Sequence, residues 1–173
     1  MGTADFLSDA MKSQRKWKFD MKMAGGGPTF DLGVHLIDTL RYLSSFEIQN
    51  ASLVKHPHTL KSNEMEKIAT YLLDFDHDFT GRITSSYIGT RNLYLEMFGT
   101  RGYIRGFDWN PILQDIRIEQ ELDGKFERRT IGNADHYMLM IDAFAEAIQK
   151  DQPPPIPGEE GLKNQKIIDM VYQ

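Results

Sequence analysis

Gly25-Gly26-Gly27-Pro28-Thr29-Phe30-Asp31-Leu32-Gly33-Val34-His35-Leu36-Ile37-Asp38 sets three titratable side chains at helical spacing directly behind a glycine triplet. Residues three and four apart are neighbours on a helix. Asp31, His35 and Asp38 are therefore expected on one face, with Leu32, Leu36, Leu40 and Leu43 forming an apolar stripe on another. A carboxylate beside an imidazole suits acid/base chemistry: the ionised Asp favours the protonated His and fixes its orientation, and His titrates near neutral pH. The glycines let the backbone approach a ligand and take positive φ ahead of a helix running from Thr29 or Asp31 to Leu43. From spacing alone, Asp31 and His35 also read as a surface pair contributing a few tenths of a kcal/mol. Asp38 can instead bond backbone or Arg41 in a structural role.

Outward from this helix, Thr3 to Phe6 reads as a short strand and Ser8 to Lys22 as a long polar loop, a kind of segment that is often functional. Lys12, Arg15, Lys16 and Lys18 cluster around Trp17 in that loop, either as a solvated surface or as a contact for an anionic substrate. Ile48 to His56 alternates as a strand. Three hairpins follow: Ile68 to Phe75 with Gly81 to Ile88, Leu93 to Phe98 with Tyr103 to Phe107, and Ile112 to Glu119 with Lys125 to Ile131 around Asp123-Gly124. After Asn133 the period changes to that of a helix, Asp135 to Lys150, with Met138, Ile141, Phe144, Ala145 and Ile148 on one face. Pro153-Pro154-Pro155 ends it, and a last helix spans Glu159 to Tyr172. Sequential hairpins imply a largely antiparallel sheet, and segregated strands and helices imply an α+β two-layer architecture. With no repeat or linker, residues 1–173 read as a single domain.

Composition narrows the function classes. At 40% hydrophobic and 26% charged residues the chain is globular rather than disordered. No apolar run approaches the roughly 20 residues of a membrane span, and no secretory leader pattern opens the chain. The absence of cysteine excludes disulfides, thiolate metal sites and a Cys nucleophile, and fits a cytoplasmic setting. A net charge of -5 argues against a nucleic-acid partner. Asp31, His35 and Asp38, joined by His56, His58, His77 or His136, have the chemistry of metal ligands, but no H-E-x-x-H pattern or cysteine accompanies them, so no metal is expected. No Lys-Ser/Thr follows the glycine triplet, and Pro28 removes a backbone donor that a phosphate loop would need. Gly99, Gly102 and Gly106 miss the dinucleotide fingerprint and read as turn glycines. Tyr87, Arg91, Trp17 and Lys18 are candidates for a sugar or polyol pocket, although Tyr87 can pack within the sheet and Arg91 can be solvated. Apolar residues fall at both strand parities: Ile68, Tyr71, Leu72, Leu73 and Phe75, then Tyr94, Leu95, Met97 and Phe98. They predict that the sheet face without helices is buried in a homo-oligomer.

Gly25 to Gly27, Asp31, Gly33, His35 and Asp38, together with Leu95-Glu96-Met97-Phe98-Gly99-Thr100-Arg101-Gly102 and Gly161-Leu162-Lys163-Asn164, resemble three successive motifs of the C-terminal domain of the Gfo/Idh/MocA family of NAD(P)-dependent oxidoreductases. The resemblance implies an open, mostly antiparallel sheet with helices on one face, like the C-terminal domains of dihydrodipicolinate reductase and glyceraldehyde-phosphate dehydrogenase. It also implies association through that sheet. His35 would be an acid/base acting with a lysine of a Rossmann domain, and Asp31 would bond a substrate hydroxyl or hold His35. Neither the G-x-G-x-x-G turn nor the E-K-P lysine of such enzymes occurs in this chain. The expected protein is thus the substrate-binding and oligomerisation domain of a sugar or polyol dehydrogenase that transfers hydride at a carbinol carbon. NAD or NADP would belong to the full-length parent, with none bound by this chain, which would be inactive alone. The alternative is a noncatalytic sugar-binding or assembly module that kept the fold.

Overall fold

All three expected hairpins form, and they join two further strands in one sheet. The computed structural model describes residues 1–10, 14–59, 64–109 and 114–172. Its strands are β1 (Gly2–Leu7), β2 (Ile48–His56), β3 (Ile68–Phe75), β4 (Thr80–Ser86), β5 (Asn92–Gly99), β6 (Gly102–Phe107), β7 (Ile116–Leu122) and β8 (Lys125–Ile131). They lie in the order β2-β3-β4-β1-β5-β6-β7-β8. β1 inserts between two hairpins, parallel to β4 and antiparallel to β5. The other neighbours pair antiparallel. The expected seventh strand starts at Ile112, outside the described residues; within them β7 begins at Ile116 and runs on to Leu122 before Asp123 and Gly124 turn with positive φ.

The segment read as a loop from Ser8 to Lys22 is partly helical. A 3-10 turn covers Lys16–Phe19, and the one-turn α1 (Met21–Ala24) is capped by Asp20, whose carboxylate accepts from the amides of Lys22 and Met23. Asp is a strong N-cap because its short side chain reaches those orphan donors. The following helix begins with a π turn, Thr29–Gly33, and continues as α2 (Val34–Ser44), which ends where Ser45 turns left-handed at φ 59°. α3 (His136–Gln149) and α4 (Gly158–Tyr172) complete the chain. None of these helices is long and apolar enough to cross a membrane.

α2 lies on β1 and β4, and α4 lies on β2 and α2. Leu36, Ile37 and Leu40 interdigitate with Ala4, Tyr71, Leu73, Phe75 and Ile83 of the sheet and with Ile167, Ile168 and Val171 of α4. Each such aliphatic side chain contributes about 1.5–3 kcal/mol by leaving water. A polar clamp ties the two helices: Arg41, 5% exposed, donates to Asn164 at 2.7 Å, to Glu47 at 2.9 Å and to Glu160 at 2.8 Å. α3 departs from expectation. Ala147 is its one buried residue, while Met138, Ile141, Phe144 and Ile148 of the predicted apolar face are exposed.

The face opposite α2 and α4 is also less apolar than expected. In β3, Tyr71, Leu73 and Phe75 are buried while Leu72 and Asp74 are exposed, a clean alternation. Directly opposed residues point to the same side of a sheet. The row Leu72, Arg82, Thr3, Glu96, Arg105, Glu119 and Arg128 therefore crosses seven strands on the uncovered face. Along it Arg105 bonds Glu96 and stacks 4.2 Å from the Tyr103 ring, and Arg128 bonds Glu119 at 2.9 Å.

Candidate functional site

The π turn decides where the three titratable groups go. One extra residue enters the first helical turn, so α-helical spacing no longer aligns positions before and after it. Asp31 is held by Lys18, whose ammonium lies 2.7 Å from each carboxylate oxygen. Asp38 accepts from the Asn164 amide at 2.7 Å and serves the contact between α2 and α4. His35 is exposed, and its ring makes no hydrogen bond to a described residue; only its backbone carbonyl does, accepting from Thr39. The expected pair thus divides: Asp31 bonds Lys18 and does not hold the His35 ring. Among the described residues no group of three or more His, Cys, Asp or Glu side chains could hold a metal ion.

Asp31 and Lys18 line a cavity of about 340 Å³. Its apolar floor is Phe6, Leu32 and Leu93, and Arg15 and Arg91 complete its charged wall. It opens at the carboxyl end of β1, where the chain leaves the sheet toward the loop carrying Lys18. Two of the four expected substrate contacts, Lys18 and Arg91, therefore line this cavity with Asp31, and a third, Tyr87, lies beside the Asp31 carboxylate without lining it. Tyr87 is 1% exposed, meets Phe19 edge-on at 5.7 Å, and lines a separate cavity of about 230 Å³. Burial, then the adjacent Asp31 carboxylate, pushes its phenol well above the ordinary value. Trp17 is 48% exposed and lies outside the Asp31 cavity, its ring 5.9 Å from the Lys18 ammonium.

Sequence reasoning missed Glu66, which falls at the end of a polar connection with nothing to single it out. The residue is 1% exposed. Its Oε1 accepts from the Thr29 hydroxyl at 2.7 Å and from the Tyr172 hydroxyl, while its Oε2 is buried without a partner. Tyr71 in turn donates to the Thr29 hydroxyl at 2.5 Å and lies 3.1 Å from Ser85. Burial first drives the Tyr71 and Tyr172 phenols well above their ordinary values, with the Glu66 charge adding to it. This network fixes the first residue of the π turn, two positions before Asp31.

The glycine triplet serves the same packing rather than a ligand. Gly25 ends α1 at φ 77°. A Cβ at Gly26 would fall 2.2 Å from the Phe30 ring, and one at Gly27 2.3 Å from the Glu66 carbonyl oxygen. With Gly26 and Gly27 packed against Phe30 and Glu66 and Pro28 buried without an N–H, this turn does not fit the diphosphate of a nicotinamide cofactor.

Known proteins agree with this architecture. A D-xylose 1-dehydrogenase (NADP(+)) of Haloarcula marismortui is 23% identical over 168 residues, 91% of this chain and 44% of that protein. A second such enzyme, from Haloferax volcanii, is 25% identical over 105 residues, 59% of this chain and 32% of its own length. Among solved structures, an aldose-aldose oxidoreductase from Caulobacter crescentus complexed with glycerol superposes with a TM-score of 0.86 at 21% identity, covering 99% of this chain and 51% of that one. A 3-ketoreductase from Actinomadura kijaniata, solved with NADP and TDP-benzene, superposes at 0.81 with 19% identity over 99% of this chain and 52% of its own. The chain thus spans between about a third and about half of the length of these proteins. The model of the GFO/IDH/MocA C-terminal domain matches residues 1–105, in the stretch that holds the glycine turn, the π turn and five of the strands, and the chain belongs to that family.

Proposed function

We propose that this chain is the substrate-binding domain of an NAD(P)-dependent sugar or polyol oxidoreductase. The observation that carries this reading is the Asp31 carboxylate, gripped through both oxygens by Lys18 at the wall of a cavity with an apolar floor. Such a mix of apolar surface and a few fixed polar groups suits a small polyhydroxylated ligand. The names of the similar proteins support it: two xylose dehydrogenases and an aldose-aldose oxidoreductase. Asp31 accepts a hydrogen bond from a substrate hydroxyl, and Lys18 keeps that carboxylate aimed. His35, exposed beyond the π turn, moves the carbinol proton in the assembled enzyme. Because the glycine turn does not fit a dinucleotide, the nicotinamide is held by another part of the parent protein. Residues 1–173 act as one domain, and copies associate through the uncovered sheet face.

The test is an NMR-monitored titration of the 173-residue protein with D-xylose, D-glucose and glycerol. Shifts concentrated at the Lys18, Asp31, Leu32 and Leu93 amides are expected. No shift with any of them, or shifts elsewhere, would remove the assignment. Calorimetry with NAD and NADP is expected to give no saturable micromolar binding to this chain.

A further inference from the structure

The wall of the Asp31 cavity carries more positive charge than a neutral sugar needs. Lys18 and Arg91 face the same space of about 340 Å³, and among the described residues that line it Asp31 is the one carboxylate. That carboxylate is occupied by Lys18, which approaches both of its oxygens at 2.7 Å. Arg91 sits just ahead of β5 and makes no hydrogen bond or ion pair to a described residue, so its five guanidinium donors are available to a ligand. Arg91 is exposed at the mouth of the cavity, whose apolar side is Phe6, Leu32 and Leu93. A planar guanidinium is suited to the two-oxygen edge of a carboxylate or phosphate, and charge-assisted bonds of that kind are roughly twice as strong as neutral ones.

We propose that the cavity takes a sugar or polyol bearing an anionic group, a carboxylate or a phosphate, seated on Arg91. The proposal rests on the reading of this cavity as the substrate site. The cavity volume is at the low end for ligand sites, about 300–1,000 Å³. It therefore suits a single sugar acid or sugar phosphate rather than a nucleotide-linked sugar. In such a pose the anion lies at the Arg91 end and a hydroxyl lies at Asp31, so Arg91 sets which substrate is chosen while Asp31 meets the part that reacts.

Calorimetric titration of the 173-residue protein at low ionic strength, with D-gluconate, D-glucose 6-phosphate, D-glucitol and inorganic phosphate, tests this. At least one of gluconate and glucose 6-phosphate is expected to bind ten-fold or more tightly than glucitol, the better of the two identifying the anion. Arg91→Gln is expected to weaken the anionic sugars at least ten-fold more than it weakens glucitol, erasing that advantage, and Arg91→Lys to retain part of it. Equal binding of glucitol and both anionic sugars, indifferent to Arg91→Gln, overturns the proposal and leaves the substrate-site reading standing. Inorganic phosphate binding as tightly as glucose 6-phosphate, or no binding of any compound, overturns both.

Discussion

Glu66 anchors Thr29, the first residue of the π turn that carries Asp31. Its Oε1 gathers the Thr29 and Tyr172 hydroxyls, and no solvent reaches it to replace them. Removing the carboxylate strands two buried donors, each costing about 1–3 kcal/mol. Glu66→Ala is therefore expected to destabilise the protein by about 2–4 kcal/mol and, at roughly 2–4 °C per kcal/mol for a domain of this size, to lower Tm visibly in a circular-dichroism melt. An unchanged Tm would mean that water enters the site. At His35 the expectation concerns the parent enzyme. His35→Ala should reduce turnover by roughly 10²-fold, the scale of a lost acid/base group, and wild-type kinetics would remove that role. Residue identities made Asp31, Lys18 and Arg91 legible, because a carboxylate and cations near a glycine turn announce a polar site. Glu66 and the π turn were not legible. The first needs a contact 37 residues away in sequence, and the second breaks the helical spacing that every pattern argument assumes.

At the scale of elements, α2 and α4 are held by charge as well as by apolar packing, and that makes part of the stability depend on acid. Burial raises the Glu47 carboxyl, but bonds from Lys163 and Arg41 outweigh it and hold the group below its ordinary value. Bonds from Lys163 and Arg41 lower Glu160 likewise. A carboxylate with a depressed folded value stabilises above its unfolded value, here 4.5, and loses that contribution as pH falls through the folded one. Urea midpoints are therefore expected to be flat near neutrality and to fall below about pH 4.5, with a shallower fall in the Glu47→Gln, Glu160→Gln double variant. Parallel pH curves for variant and wild type would show that the clamp contributes nothing to the acid response. α3 gives the opposite expectation. Ile141→Glu on its exposed face should change stability by no more than about 0.5 kcal/mol, against about 2–5 kcal/mol for Leu40→Ala in the core. Hairpins and helices were readable from period and turn residues. The insertion of β1 between β4 and β5 was not, because its pairing partners lie about 80 to 90 residues away.

For the molecule as a whole, the sheet is covered on one side only, and the other side has the makings of a contact between copies. The sequence suggested an apolar surface there; the structure gives a mixed one. Leu72 and Phe98 are exposed beside the charged row in which Glu96, 8% exposed, meets Arg105 and Glu119 meets Arg128. Polar and apolar groups distributed this way suit an isologous contact, in which each charged row can lie across its twofold copy and the aromatic side chains fill the space between. Association through such a face should be sensitive to salt, since ions screen exposed charges beyond about 8 Å at physiological strength. Light scattering over a dilution series is expected to give a dimer or larger at micromolar concentration, shifting toward monomer as salt is raised. Arg105→Glu, which sets a second carboxylate beside the buried Glu96, should shift the same equilibrium toward monomer and also lower Tm. A monomeric mass at every concentration would mean that this face is solvated in the isolated protein, with its ion pairs serving the sheet alone.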